Sequence, residues 1–139
     1  MSVCHGSITV QAEGYCDIID ITRDVERIAK NSRIKNGIVT TFVPGSTGGI
    51  TTIEYESGVL SDLRQAIERL LPQQISYSHD VRWGDGNGFS HVRAALLGAS
   101  LSIPLKEGTI VRGTWQQIVF IDFDNCPRNR KLAVTVVGE

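Results

Sequence analysis

Ser100-Leu101-Ser102-Ile103-Pro104-Leu105, Lys106-Glu107-Gly108, Thr109-Ile110-Val111-Arg112, Gly113-Thr114 and Trp115-Gln116-Gln117-Ile118-Val119-Phe120-Ile121-Asp122-Phe123 follow one another in a single stretch. The apolar runs are short, rich in β-branched and aromatic residues, and parted by glycine-bearing turns, which is the pattern of consecutive strands. Residues 131–137 add one more such run. Strands joined by short turns form a largely antiparallel sheet. Trp115 reads as a packing anchor, and Gly113 as the mark of a bulge.

Working outward, residues 5–12 alternate like a strand, with Ile8 and Val10 on one face. Glu13-Gly14 is a turn, and residues 15–19 are expected to complete a hairpin. Thr22 is expected to cap a short helix. Asp24 and Glu26 follow in its first turn. Val25, Ile28 and Ala29 share a face, and the helix ends near Asn31. Residues 38–43 and 50–55 read as strands broken by Pro44-Gly45-Ser46-Thr47-Gly48-Gly49. Leu60, Leu63, Ala66, Ile67, Leu70 and Leu71 form the stripe of a longer helix that Pro72 stops. Residues 73–88 read as a long polar loop, and 91–97 as a helix closed by Gly98. Helices early and mid-chain beside an antiparallel sheet give an α+β class.

The chain has 139 residues and no long linker, so residues 1–139 read as a single domain. A hydrophobic fraction of 41% is enough for a core. Fourteen basic and 15 acidic side chains give a net charge of −1, which supplies no broad pull on nucleic acid or on an anionic membrane. No apolar run approaches the ~20 residues of a membrane helix, and the first residues lack the order of a signal peptide. Cys4, Cys16 and Cys126 form no CxxC pair and read as reduced thiols. A cytoplasmic protein is expected.

His79 and His91 flank the long loop beside Asp80 and Asp85. Imidazole and carboxylate together can hold a divalent ion or run acid–base chemistry. The alternative is a pair of structural histidines that hydrogen-bond the loop. Gly45-Ser46-Thr47-Gly48-Gly49 can wrap an anion with backbone amides, or serve only as a tight turn; with no Lys behind its glycines it is not a P-loop. Thr52 and Glu54 share one strand face, which places Glu54 either in a cleft or in solvent. Gln116 offers both donor and acceptor to a ligand. Arg128 and Arg130 flank Asn129 on a turn after Pro127, where they can clamp a phosphate or carboxylate, or stand solvated at a hairpin tip. They also lie close to Cys126 in sequence, which would favour its thiolate. GxSxG, GxGxxG and HExxH are all absent.

Tyr77-x-His79-Asp80, Ser90-His91-Val92-Arg93-Ala94-Ala95-Leu96-Leu97-Gly98, Pro104, Gly108, Gly113-Thr114-Trp115-Gln116 and the closing Gly138-Glu139 together resemble the YjbQ family. The resemblance covers nearly the whole chain. It implies an α+β, largely antiparallel β-sandwich with a few helices, assembled as a homotrimer with a small polar site near a subunit interface. It also implies a histidine-built pocket for a divalent metal such as zinc or magnesium, with His79 and His91 as ligands and Asp80 and Glu54 as further catalytic groups. Many members carry a histidine where this chain has Gly45, and an asparagine where it has Ile53. His5 is the only other histidine here. The activity implied is that of a secondary thiamine-phosphate synthase; by charge type alone, Arg82, Arg128 or Arg130 would hold its phosphate oxygens. The alternative is a non-catalytic trimer that binds a metal or a phosphorylated metabolite.

Overall fold

The computed structural model describes residues 1–139. Strands β1 (Ser2–Ala12), β2 (Asp17–Asp20), β3 (Gly37–Phe42), β4 (Gly48–Ile53), β5 (Ser100–Lys106), β6 (Thr109–Ile110), β7 (Gln117–Asp122) and β8 (Arg128–Gly138) are joined by helices α1 (Thr22–Asn31), α2 (Ser57–Leu70), α3 (Ser78–Trp83) and α4 (Gly88–Leu97). They form a five-stranded sheet, β1-β8-β3-β5-β6, and a three-stranded sheet, β2-β7-β4. Every neighbouring pair is antiparallel. The α+β, largely antiparallel architecture is the expected one. No helix is long and apolar enough to cross a membrane.

Strand β7 organises the layers. Its residues alternate between two cores, as the period of a strand requires. Ile118 and Phe120 join the core between the sheets, with Leu132, Val134 and Val136 of β8 and with Val25 and Ala29 of α1. Val119, Ile121 and Phe123 face the other way, toward Leu60 of α2 and Ala94 of α4. The small sheet is therefore covered on both faces, which explains why this run is apolar without alternation.

The parity continues past the apolar residues. Asp122 and Asp124 follow Phe120 on the side toward the large sheet and are buried, at 0% and 2% exposure. Arg128 and Arg130 precede Leu132 on the inward side of β8. Arg130 Nε lies 2.7 Å from Asp122 Oδ2, and its Nη2 lies 3.0 Å from Oδ1, a two-pronged pairing. Arg128 Nε lies 2.7 Å from Asp124 Oδ2. At this end the sheets are joined by charge rather than by apolar contact.

Several local expectations are corrected. Residues 15–19 do not return along β1: β1 pairs with β8, and β2 pairs with β7 in the other sheet. Gly14, Tyr15 and Cys16 all have positive φ (84°, 54° and 69°), and they carry the chain from one sheet to the other. Thr22 is not the cap of α1; Ile21 holds that position. The Thr22 hydroxyl instead donates to Asp20 Oδ1 (2.6 Å) and accepts from the Ile118 amide (2.8 Å). The segment 73–88 contains helix α3. Gly48 and Gly49 open β4 rather than ending a loop. Arg128 and Arg130 lie within β8, not on a turn. Trp115 is 71% exposed and anchors nothing.

Removing one partner of a buried ion pair strands the other charge without water, at a cost of about 3–5 kcal/mol. Asp122→Ala is expected to lower the unfolding free energy by about that amount in urea denaturation. A loss within the error of the extrapolation contradicts the assignment.

Candidate functional site

Helices α3 and α4 meet at a tight corner. Gly84 and Gly86 adopt left-handed φ of 69° and 65° in the turn between them. Gly88, the first residue of α4, packs against Tyr77: a Cβ at this glycine would lie 2.5 Å from that of Tyr77. The close approach lets Asp80 Oδ1 accept from the Gly88 amide at 2.8 Å. Asp85 Oδ1 accepts from the Asn87 amide at 3.2 Å. Both carboxylates are thus oriented by backbone donors, as ligating carboxylates usually are.

His79 sits between them. Its Nδ1 is 3.3 Å from Asp85 Oδ1 and 3.7 Å from Asp80 Oδ1. That nitrogen is buried and makes no hydrogen bond. Ligand atoms of His79, Asp80 and Asp85 all lie within 4.8 Å of one another. For bonds of about 2.1 Å, neighbouring ligands of a tetrahedral ion stand about 3.4 Å apart. The two nitrogen–oxygen separations bracket that spacing. One imidazole with two carboxylates is a donor set for zinc or a harder divalent ion. The His91 ring stands beside His79, with centroids 4.5 Å apart and planes inclined by 42°.

His91 also lines a cleft of about 360 Å³, with Ala94, Ala95, Gly98 and Ala99 on its side and Gly45, Ser46 and Gly48 opposite. Helix α4 comes this close because Gly49 has no side chain: a Cβ there would lie 2.6 Å from Leu97 Cδ2 and 2.9 Å from the Gly98 carbonyl oxygen. A smaller hollow of about 140 Å³, between α2 and α4, is apolar apart from Arg93. That guanidinium is already held by Glu68 and by the Leu71 carbonyl.

A buried hydrogen-bonded chain ties the corner to the sheets. The Ser90 hydroxyl lies 2.5 Å from Asn87 Oδ1, and Asn87 Nδ2 donates to Asp124 Oδ1 at 3.3 Å. The Thr47 hydroxyl donates to Asp124 Oδ2 at 2.9 Å and accepts from Arg130 Nη2 at 2.6 Å. Asn125 Nδ2 donates to the Asp85 carbonyl at 2.9 Å. Burial alone pushes the Asp124 carboxyl up. Hydrogen bonds from Arg128 and Thr47, the Arg128 charge and the Asn125 amide outweigh it and hold the group below the usual carboxylate range.

The structure brings His79, Asp80 and His91 together and adds Asp85. Arg130 reaches the Gly45–Thr47 turn. Arg128 is half-exposed and paired with Asp124. Glu54 and Gln116 are elsewhere: Gly48 pairs with Asp122, whereas Ile53 pairs with Gln117 at the far end of β4. A strand of that length spans roughly 17–20 Å. Gln116 Oε1 there accepts from the Gly113 amide, and its Nε2 donates to Thr52. Arg82 lies over the exposed Trp83 ring. His5 bonds Thr135 on the outer face of the large sheet. Cys126 Sγ is 3.6 Å from Asp124 Oδ1. Asp122 and Asp124 escaped sequence reasoning, and Thr47, Asn87 and Ser90 entered it only as members of longer segments. For the two aspartates, the parity of 118–124 against 128–136 was a usable signal.

A family model described as "UPF0047 protein YjbQ-like" matches residues 6–139. The chain belongs to the YjbQ (UPF0047) family. A UPF0047 protein of Methanothermobacter thermautotrophicus is 38% identical over 139 residues, which cover 100% of this chain and 95% of the relative. The UPF0047 protein YugU of Bacillus subtilis is 32% identical, covering 88% and 90% of the two chains. A crystal structure of a YbjQ-like protein of unknown function from Sulfolobus solfataricus superposes with a TM-score of 0.94 at 36% identity, covering 99% of each chain. The YjbQ family is one of unknown function, so the chemistry of this YjbQ chain must be argued from its own residues.

The lowered Asp124 value has a definite sign. A carboxylate held below its unfolded value stabilises the fold above the unfolded pKa of about 3.9, and that contribution disappears as pH falls through the folded value. Asp124→Asn is expected to be less stable than wild type in urea at pH 7, with the difference shrinking steadily below about pH 4. A difference that is constant across that range contradicts the role given to the charge.

Proposed function

We propose that this YjbQ protein is a divalent-cation-dependent enzyme acting on a small phosphorylated substrate. The observation that carries the reading is the buried, unpartnered Nδ1 of His79 between the carboxylates of Asp80 and Asp85. A buried nitrogen without a partner costs free energy unless something binds it. His79, Asp80 and Asp85 would hold the ion, with His91 as its fourth ligand or as the proton-handling group beside it. Such an ion supplies Lewis-acid stabilisation of charge developing on a phosphate oxygen. The 360 Å³ cleft that His91 lines is at the lower end of the range for small-molecule sites.

The reaction to assay first is the thiamine-phosphate synthase reaction that the resemblance implies. In it the bond from the pyrimidine methylene carbon to diphosphate breaks, the thiazole nitrogen takes the carbon, and diphosphate leaves with the electron pair. His91, which lines the cleft, would protonate a leaving oxygen. The proposal includes assembly as a homotrimer. In support, the outer face of β1, β8 and β3 carries only His5 and Lys131 as ionisable groups, and Val3, Ile38 and Phe42 there are 59%, 52% and 44% exposed. Glu54 and Gln116 belong to the proposed site only as contributions from a neighbouring subunit.

Elemental analysis of tag-free protein is expected to find about one divalent ion per chain, bound at least ~10-fold more weakly in His79→Ala and in Asp85→Asn. His91→Ala is expected to lower turnover by at least ~10²-fold. Sedimentation is expected to give the mass of three chains. Wild-type protein that takes up no ion contradicts the metal centre. Ion binding without turnover of any phosphorylated substrate would make this a binding protein.

A further inference from the structure

Strand β1 is an edge of the large sheet, and its outer side is open. It pairs only with β8. The amide and carbonyl of every second residue therefore point away from the sheet, and no other part of the chain bonds them. Edges of this kind are normally short, or guarded by charge, by proline or by a covering segment. The other edges here follow that rule. Strand β6 has two residues, β2 has four with Asp17 and Asp20 at its ends, and β4 gives its Ile50 amide to the Gly98 carbonyl. Strand β1 does not follow it. Its 11 residues, Ser2-Val3-Cys4-His5-Gly6-Ser7-Ile8-Thr9-Val10-Gln11-Ala12, include no lysine, arginine, aspartate, glutamate or proline. Val3, His5, Ser7, Thr9 and Gln11 are exposed, whereas Ile8, Val10 and Ala12 are buried on the core side.

We propose that the open edge of β1 docks β1 of a second copy of this chain, antiparallel about a two-fold axis at Ser7. Such a contact is self-complementary, because each strand supplies the donors and acceptors that its partner needs. One register uses all 11 residues, and it sets Ser7 opposite Ser7. The neighbouring registers leave the end of each strand unpaired. On the outer face this register sets His5 opposite Thr9 and Val3 opposite Gln11. On the core face it sets Cys4 opposite Val10 and Gly6 opposite Ile8. Apolar side chains thus meet on the core side, and mostly polar ones on the solvent side. No like charges face one another across the pair. The pairing joins the two large sheets into one. It goes beyond the metal-centre reading and does not rest on it. The edge is also a different surface from the outer face offered for the trimer.

The test uses the full chain. At high chain concentration, sedimentation is expected to give an even number of chains, falling to half that mass on dilution. Amide exchange in β1 is expected to slow at least ~10-fold as the mass doubles. Ser7→Cys is expected to form a disulfide-linked dimer under mild oxidation, because opposite Cα atoms of an antiparallel pair stand about 4.5–5.5 Å apart, within disulfide reach. Thr9→Cys alone is expected to form none, since its partner is His5, whereas Thr9→Cys combined with His5→Cys is expected to form one. Cross-linking by Thr9→Cys as readily as by Ser7→Cys would mean a different contact at this edge and overturn the pairing. An odd number of chains at every concentration overturns it, as do β1 amides that exchange equally fast in dilute and concentrated protein. Stripping the protein of metal is expected to change none of these results, so failure of the metal centre and failure of the strand pairing are distinguishable.

Discussion

The ion pair between Asp122 and Arg130 joins the two sheets at the end of the molecule that carries the cleft. Desolvating both groups is expensive, and their attraction offsets that cost only with good geometry and further hydrogen bonds. Both conditions are met here. The guanidinium engages both carboxylate oxygens, and Asp122 Oδ1 also accepts the Asp124 amide at 2.9 Å. An apolar pair of similar size would fill the same volume. It would not fix an orientation, and everything built on this corner depends on orientation.

From that corner the constraint spreads through polar contacts. Arg130 holds Thr47, Thr47 and Arg128 hold Asp124, and Asp124 holds Asn87, the residue that precedes α4. Asn125 secures the carbonyl of Asp85. The turn at 45–49 and the corner between α3 and α4 are thereby referred to the same two strands, although some 40 residues separate them in sequence. Side chains on exposed loops would otherwise be the least fixed part of the fold. Here the cluster and the cleft wall are both anchored to the end of β7.

Much of this was legible in the sequence, and the failures are instructive. The strand runs at 100–123 and 131–137 gave the antiparallel class, and the stripe from Leu60 to Leu71 gave α2. The hairpin at 5–19 failed because adjacency in sequence says nothing about a chain that changes sheets; three successive positive φ values at Gly14, Tyr15 and Cys16 do that. His79, Asp80 and His91 stood out in the sequence because they flank an unusually polar segment. Asp85 lay in plain view beside them, and only its distance to His79 gives it weight. Arg128 and Arg130 were placed on a turn, as a phosphate clamp or a solvated tip, because arginines after a proline suggest a turn. Their parity with Leu132, Val134 and Val136 pointed inward instead. Glu54 and Gln116 adjoin the same end of β4, the end away from Gly48 and the cleft, so within a single chain they stand apart from His91.

On this view the Asp122–Arg130 pair serves orientation rather than net stability. The most direct measurement is amide hydrogen exchange on the double variant Asp122→Leu/Arg130→Met, beside its urea stability. The account predicts a folded protein with stability near or above wild type, as is common when a buried ion pair is replaced by apolar residues. It also predicts that amides 47–49 and 87–90 exchange at least ~10-fold faster while the β1–β8 ladder keeps its protection. Unchanged protection in those two segments would contradict it.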